Sequence, residues 1–293
     1  MTRENYMNIS VSADTLFSLW GLPITNTLLM TWAGMAVLAL AALILGWKIR
    51  MVPDGKQNAV EAVFDAALDL LDDITGNRNV SYVLFPLVVT ILLFVLASNW
   101  VEILPGLGSI GIDKTVNGVT AFIPFMRSPS SDLNFTIALA FVSILSIQAF
   151  SIKNLGLIKH LRKYISFKSA LGFFVGILEI ISEVSKIISF SFRLFGNIFA
   201  GEVLLAVSAF LMPLALPIPF LFLELFVGAI QAVVFAGLTA VFMGIAVEET
   251  EEEERTPDNR VRQEAAEPLS SKIKAYRSLP QAPVAEIHTS AHQ

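Results

Sequence analysis

The chain has 293 residues, of which 55% are hydrophobic and 15% charged, and its mean hydropathy is +0.68. This composition excludes an ordinary water-soluble protein and indicates an integral membrane protein. Eight acidic residues fall in the last 43 positions, and residues 248–293 together carry a net charge of −4, which is most of the total of −5. The remainder is near neutral, which argues against binding of nucleic acid.

The residue types that are rare in this chain exclude several kinds of site. Because there is no cysteine, a disulfide framework, a thiol nucleophile and cysteine-based metal sites are all excluded. The three histidines lie outside the apolar segments, which argues against haem or zinc bound within a bilayer. The sequence therefore predicts no cofactor and no metal.

Five apolar stretches are long enough to cross the hydrocarbon core of a bilayer. They cover residues 28–47, 83–104, 133–152, 170–211 and 220–247. The fourth is about twice the usual length, which predicts a long tilted or a broken helix. Prolines at 213, 217 and 219 mark a turn, so the last two stretches form a helical hairpin. We predict an all-α integral membrane protein with about five crossings.

Residues 58–74 have a different pattern, because apolar and acidic side chains occupy different faces of a helix. The apolar positions are Val60, Phe64, Ala67, Leu71 and Ile74, and the acidic ones are Glu61, Asp65, Asp69 and Asp72. This pattern predicts an amphipathic helix that lies at the membrane surface or packs on a soluble partner. Residues 105–132, rich in Gly, Pro and Ser, are predicted to form a loop.

Basic residues set the predicted orientation, since Lys and Arg are concentrated in cytoplasmic loops. They follow the first span and cluster after the third, at Lys48, Arg50, Lys153, Lys159, Arg162, Lys163 and Lys168. Residues 1–27 are then external, and they lack the basic start of a cleaved signal peptide. Residues 248–293 form an acidic, disordered cytoplasmic tail. We predict a multi-pass protein of a bacterial plasma (inner) membrane.

Polar residues of the fourth span recur every three or four positions, which places them on one helix face. They are Glu179, Ser182, Lys186, Ser189, Arg193 and Asn197. Glu202 lies about 180° round the helix from Arg193 and roughly 13 Å along it. In an antiparallel hairpin, Glu202 comes level with Glu224 of the last span, and Arg193 comes level with Gln231.

These residues predict two polar routes with a barrier between them. Arginine keeps its proton at physiological pH, so Arg193 is a fixed charge, whereas carboxylates and water relay protons. One route runs through Glu202 and Glu224 from outside, and the other runs along Glu179, Ser182 and Ser189 from the cytoplasm. Asn99 and Glu102, late in the second span, either mark its interface or line an entry path.

Other interpretations of the same residues stay open. Arg193 is alternatively a structural charge, satisfied by Glu179, Glu183 or backbone carbonyls. Lys186 and Glu183 have the spacing of a simple helical ion pair. A secondary transporter would use similar buried charges, but we find no convincing internal repeat. An intramembrane enzyme would need a nucleophile and base or a metal set, for which the chain offers few candidates.

The segment Arg193-Leu194-Phe195-Gly196-Asn197, followed by Ala200-Gly201-Glu202 and then by Glu224 and Gln231, resembles subunit a of the F-type ATP synthase membrane sector. The resemblance implies a proton-translocating stator subunit that couples proton flow to ATP synthesis or hydrolysis elsewhere in the complex. Its implied partners are a ring of proteolipid c subunits, peripheral-stalk subunits and membrane lipid. It implies no nucleotide site on this chain, and no GxxxxGK[ST] run is present.

The resemblance also implies roles for single residues. Arg193 keeps the entering and leaving ring carboxylates apart. Glu202 and Glu224, with Asn99 nearby, belong to an outer half-channel, and Glu179 belongs to a cytoplasmic one. Asn197 and Gln231 are polar positions near the arginine. Many relatives place a histidine at one of the two hairpin acid positions, whereas this chain has Glu at both.

Overall fold

The computed structural model describes residues 13–19, 21–47, 55–101, 110–116, 119–164, 170–213 and 215–255. Within these residues the chain forms seven α-helices and two short β-hairpins. The helices are α1 (Asn26–Trp47), α2 (Gly55–Thr75), α3 (Arg78–Trp100), α4 (Leu133–Leu155), α5 (Leu157–Tyr164), α6 (Ala170–Leu211) and α7 (Pro217–Arg255). The strands are β1 (Thr15–Leu19), β2 (Leu22–Thr25), β3 (Gly111–Val116) and β4 (Val119–Pro124).

Five of these helices, α1, α3, α4, α6 and α7, are long and apolar enough to cross a membrane. This confirms the predicted all-α membrane architecture. Helix α6 has 42 residues and is about 63 Å long, roughly twice the hydrocarbon thickness of a bilayer. It is continuous, so the tilted rather than the broken alternative applies.

The largest differences from the predicted boundaries are at the start of α3 and the end of α7. Helix α3 begins at Arg78, because Asn77 caps it by accepting a hydrogen bond from the Asn79 backbone N–H at 3.0 Å. Helix α7 continues to Arg255, so residues 248–255 are helical rather than disordered; Glu is a good helix former. The rest of the predicted tail, 256–293, lies outside the described residues.

Both hairpins lie in segments for which the sequence predicts no regular structure. Strands β1 and β2 pair antiparallel within the predicted external segment, and Gly21 supplies a positive φ of 84° at their turn. Strands β3 and β4 pair antiparallel within the predicted loop, from Gly111↔Pro124 to Val116↔Val119. A 3-10 turn at Pro129–Ser131 then leads into α4.

The predicted amphipathic helix is confirmed as α2, which packs on α3. Leu68 and Leu71 are buried on its apolar face, whereas Glu61, Asp65 and Asp69 are exposed. Arg78 at the start of α3 pairs with Asp69 at 3.0 Å and also with Asp72. The two helices are thus joined by both apolar and ionic contacts.

Helix α5 is a short element within the basic loop that the sequence analysis does not predict. Its His160 is buried, and its Nδ1 lies 3.0 Å from the Ser151 hydroxyl of α4. The carbonyl oxygen of Tyr164 at the end of α5 lies against Gly176 of α6 and leaves no room for a Cβ there. Gly176, part of a GxxxG pattern, therefore permits close contact between α5 and α6.

The apolar core is formed mainly by α3, α4, α6 and α7. Helix α6 contributes Phe190, Leu194 and Ile198, which are four residues apart and buried. Phe190 contacts Phe235 of α7, with ring centroids 5.0 Å apart. Because this face of α6 is held in the core, its polar face points away from the core.

Candidate functional site: a polar path along α6 and α7

Arg193 lies near the middle of α6, about 60° round the helix from the buried Phe190 and about 100° from the buried Leu194. Its side chain is exposed, and a guanidinium nitrogen makes one long hydrogen bond, 3.4 Å, to the Ser189 hydroxyl. Within the described part of the chain, no carboxylate pairs with Arg193. The site thus contains a cation, in a membrane-spanning helix, without an anionic partner from those residues.

Asn197, one turn after Arg193, connects α6 to α7. Its side-chain Nδ2 donates to Gln231 Oε1 at 2.8 Å, and Gln231 is buried. The hairpin pattern predicts that Gln231 comes roughly level with Arg193, and in the structure its side chain bonds to Asn197, one turn further along α6. The Gln231 side chain of α7 thus contacts α6 one helical turn after Arg193.

Glu224 lies on the same face of α7 as Gln231, about two turns nearer the α6–α7 turn. Asn99 of α3 contacts α7 between these two residues, at Gly228. Asn99 is buried at the end of α3, and its Nδ2 donates to the backbone carbonyl of Gly228 at 2.9 Å. Glu224 is also buried and lies against Gly201 of α6, where an added Cβ would stand 2.7 Å from its Oε1. Gly201 precedes Glu202, so the two acidic positions are brought level, as an antiparallel hairpin predicts.

Several buried polar atoms along this path have no hydrogen-bond partner among the described residues. They are Asn99 Oδ1, both carboxylate oxygens of Glu224 and Gln231 Nε2; the unpartnered Ser130 Oγ lies near this end of α6, in the 3-10 turn that contacts the helix. A buried polar group without a partner is costly, so such groups are normally satisfied by protein or by ordered water. Their alignment favours a hydrated path at this end of the bundle.

Glu202 has a partner that the sequence analysis missed. Arg127, in the segment between β4 and the 3-10 turn, places a guanidinium nitrogen 3.0 Å from Glu202 Oε2. The Arg127 side chain is only 7% exposed. In the sequence, Arg127 is only a lone arginine beside the Pro- and Ser-rich run at 128–131. This pattern is too weak to predict a contact with a residue 75 positions away.

The opposite half of α6 carries the other predicted group of residues. Ser182 and Ser189 are exposed on the same face as Arg193, and Glu179 is half-buried. Glu183 pairs with Lys186 at 2.8 Å, which confirms the predicted helical ion pair. Because Glu183 is paired with Lys186, it does not compensate the charge of Arg193.

The structure thus divides the predicted site residues into two groups on either side of Arg193. Asn99, Asn197, Glu202, Glu224 and Gln231 lie towards the α6–α7 turn, and Glu179, Ser182 and Ser189 lie towards the start of α6. Glu102 lies outside the described residues. Among the described residues, no group of three or more acidic or histidine side chains is placed to hold a metal ion.

Comparison with known proteins gives one family. The profile of the family described as ATP synthase A chain matches residues 28–244. ATP synthase subunit a of Moorella thermoacetica is 32% identical over 228 residues, which cover 78% of this chain and 93% of that protein. The protein of the same description from Gloeobacter violaceus is 35% identical over 225 residues, covering 76% and 84%.

A third relative, from Propionigenium modestum, is described as ATP synthase subunit a, sodium ion specific. It is 32% identical over 234 residues, which cover 76% of this chain and 74% of that protein. All three are similar over most of their own length. The matched region covers nearly all of the five described helices that are long and apolar enough to cross a membrane. The chain therefore belongs to the ATP synthase A chain family of multi-pass, ion-transporting membrane proteins.

Proposed function

We propose that this chain is the stator subunit of a rotary F-type ATP synthase. It conducts protons through two offset half-channels to a ring of c subunits, and so couples proton flow to ATP synthesis or hydrolysis. It is a non-catalytic subunit and works together with peripheral-stalk subunits. It lies in a bacterial plasma (inner) membrane with its N-terminus outside and its C-terminus in the cytoplasm.

The observation that carries this proposal is the environment of Arg193. An arginine in the middle of a membrane-spanning helix is costly unless it faces water or an opposite charge. Arg193 is exposed, and among the described residues its polar contact is one long hydrogen bond to Ser189. The missing anion is then supplied by another chain, and a ring carboxylate that passes Arg193 has the required chemistry.

The outer half-channel is the path along α7 that contains Asn99, Glu224 and Gln231. Water on this path satisfies the unpartnered atoms of these three side chains and delivers protons to Glu224. Glu202 lies on the same path, beside the Glu224–Gly201 contact. Asn197 connects the inner end of the path to the turn of α6 that holds Arg193.

The cytoplasmic half-channel follows the first half of α6, along Glu179, Ser182 and Ser189. It ends at Arg193, whose positive charge repels a hydrated cation and attracts a deprotonated carboxylate. A proton therefore crosses from one half-channel to the other only on a ring carboxylate. Ring rotation is the step that joins the two routes.

Single cysteines test the two routes directly, because the chain has no cysteine of its own. Ser130→Cys examines the outer route, and Ser182→Cys and Ser189→Cys examine the cytoplasmic one. Val95, fully buried in the apolar core, gives a matched control as Val95→Cys. Sealed vesicles with the assembled complex are treated with a membrane-impermeant thiol reagent from one side at a time, and labelling of this chain is measured.

We expect Ser130→Cys to react from outside, Ser182→Cys and Ser189→Cys to react from the cytoplasmic side, and the control to react from neither. Reaction of both groups from the same side contradicts two offset half-channels. Independent solute transport by the isolated subunit would instead support a secondary transporter. Pumping in sodium-free buffer separates proton coupling from the sodium specificity named for the Propionigenium modestum relative.

A further inference from the structure

We propose that Arg127 is a positioning residue of the outer half-channel. It binds Glu202 as a fixed counter-ion and leaves Glu224 as the carboxylate that takes up and releases protons. The inference rests on the proposed function and assigns different roles to the two hairpin acids. In this scheme a proton passes from water to the Glu224 carboxylate and then leaves Glu224 for the ring carboxylate.

The two acids differ first in their contacts. Glu202 Oε2 accepts a hydrogen bond from Arg127 at 3.0 Å, and its side chain is 24% exposed. Glu224 is 6% exposed, and neither of its oxygens has a hydrogen-bond partner among the described residues. Charge-assisted bonds between arginine and carboxylate are among the stronger hydrogen bonds of proteins. Glu202 is therefore engaged in a persistent pair, whereas the Glu224 oxygens are free to exchange protons with water.

Arg127 is itself held in place by its surroundings. Its Nε donates to the Ser131 hydroxyl at 3.1 Å, and Ser131 belongs to the buried 3-10 turn. The Ser128 hydroxyl donates to the Ser98 carbonyl of α3 at 3.1 Å. Because its own Nε and the adjacent Ser128 are both anchored, the guanidinium has little freedom to leave Glu202.

The start of α4 fixes the other end of this turn. Asp132 caps α4 by accepting from the Asn134 backbone N–H at 2.9 Å, and it also accepts from the Thr27 hydroxyl of α1 at 2.9 Å. The turn is thus attached to α1, α3 and α4, while Arg127 attaches it to α6. A rigid support of this kind is what a positioning residue needs.

The geometry of α6 keeps Glu202 away from Arg193. The two residues lie on opposite faces of α6, roughly 13 Å apart along its axis. Because the positive charge of Arg127 balances the negative charge of Glu202, the pair contributes no net charge to the path. Removing one member of a buried ion pair leaves an uncompensated charge, whereas removing both is often tolerated. If Glu202 is only a counter-ion, removal of both Arg127 and Glu202 should therefore be tolerated better than removal of either one. If Glu202 carries protons, removal of both should be as harmful as removal of Glu202 alone.

The test uses Arg127→Gln, Glu202→Gln, the double variant Arg127→Gln/Glu202→Gln, Arg127→Lys and Glu224→Gln in the whole complex. ATP-driven proton pumping in vesicles is measured per assembled complex, and assembly is measured by the amount of this chain that copurifies. Arg78→Gln is the matched control, because Arg78 also pairs with carboxylates but at an exposed site away from the path.

We expect each single glutamine variant of the pair to lower pumping about tenfold, and the double variant to recover to within about threefold of wild type. Arg127→Lys should retain more pumping than Arg127→Gln, because it keeps the charge. Glu224→Gln should abolish pumping, and Arg78→Gln should pump like wild type because exposed ion pairs contribute little.

A double variant that is as inactive as Glu202→Gln, or that fails to assemble, would overturn the inference, since Glu202 would then be needed in its own right. A single variant that fails to assemble while the double variant assembles and pumps supports it. Normal pumping by Glu224→Gln would instead contradict the proposed outer half-channel itself. Failure of the inference about Arg127 can therefore be distinguished from failure of the proposed outer half-channel.

Discussion

Gly201 and Glu224 show how a residue without a side chain determines the position of a functional one. An added Cβ at Gly201 would stand 2.7 Å from Glu224 Oε1, closer than van der Waals contact allows. The Glu224 side chain is long enough to move aside without a shift of the backbone. The position of its carboxylate, rather than the packing of α6 and α7, therefore depends on this glycine.

The variant Gly201→Ala tests this dependence. We expect the complex to assemble but ATP-driven pumping to fall, because the displaced carboxylate no longer meets the outer path. Gly237→Ala on α7 is the matched control, since no atom lies within 4 Å of its Cβ position. Alanine there favours the helix by up to about 1 kcal/mol, so pumping should be unchanged. Equal pumping by the two variants would show that the position of the carboxylate is unimportant.

The sequence predicted the residues of the path better than their partners. Glu202, Glu224 and Gln231 could be placed because helical spacing and the proline turn fix their relative heights. Arg127 could not be placed, because its contact with Glu202 joins a loop to a helix across 75 positions. No helical or strand periodicity relates those two positions.

At the scale of elements, α6 combines two roles on its two faces. Phe190, Leu194 and Ile198 hold it in the core, and the intervening turns present Ser189 and Arg193 outside the core. The periodicity of the sequence predicted this division and the bounds of the helix. Its length of about 63 Å allows one element to carry both the outer and the cytoplasmic routes.

Smaller elements were missed for a physical reason. Helix α5 has eight residues, about two turns, which is too short for a reliable apolar period. The hairpins β1–β2 and β3–β4 have strands of four to six residues in segments without strict alternation. Their formation depends on tertiary context, which local patterns do not record.

Close contact between α5 and α6 gives a prediction at this scale. In Gly176→Ala the new methyl group would clash with the Tyr164 carbonyl oxygen, which is backbone and cannot rotate away. We expect α5 to be displaced and the complex to lose stability, by about 1–3 kcal/mol as for other overpacked sites. Thermal unfolding of the purified complex measures this loss.

Gly34→Ala on α1 is the control for this variant, because its Cβ position has no neighbour within 4 Å. It should leave the unfolding temperature unchanged or slightly raised. The same unfolding temperature for Gly176→Ala and Gly34→Ala would contradict the close approach of α5 to α6.

At the scale of the whole molecule, the described part of the chain has two polar paths and an exposed arginine that has no carboxylate partner within that part. The path towards the α6–α7 turn has an acid and amides with unsatisfied atoms, and the path towards the start of α6 has Glu179 and serines. Arg193 lies between them and is exposed. In the proposed mechanism neither path crosses the membrane by itself, because a continuous channel would dissipate the proton gradient.

The most direct test of this account is Arg193→Ala in the assembled complex, with Arg78→Ala as the control for loss of an arginine outside the site. Two proton fluxes are measured in membrane vesicles: ATP-driven acidification, and passive leak after removal of the catalytic head. We predict normal assembly, loss of acidification and a persistent or raised leak for Arg193→Ala, with wild-type behaviour of the control. Normal acidification by an assembled Arg193→Ala complex would contradict the barrier and leave Arg193 as a structural charge.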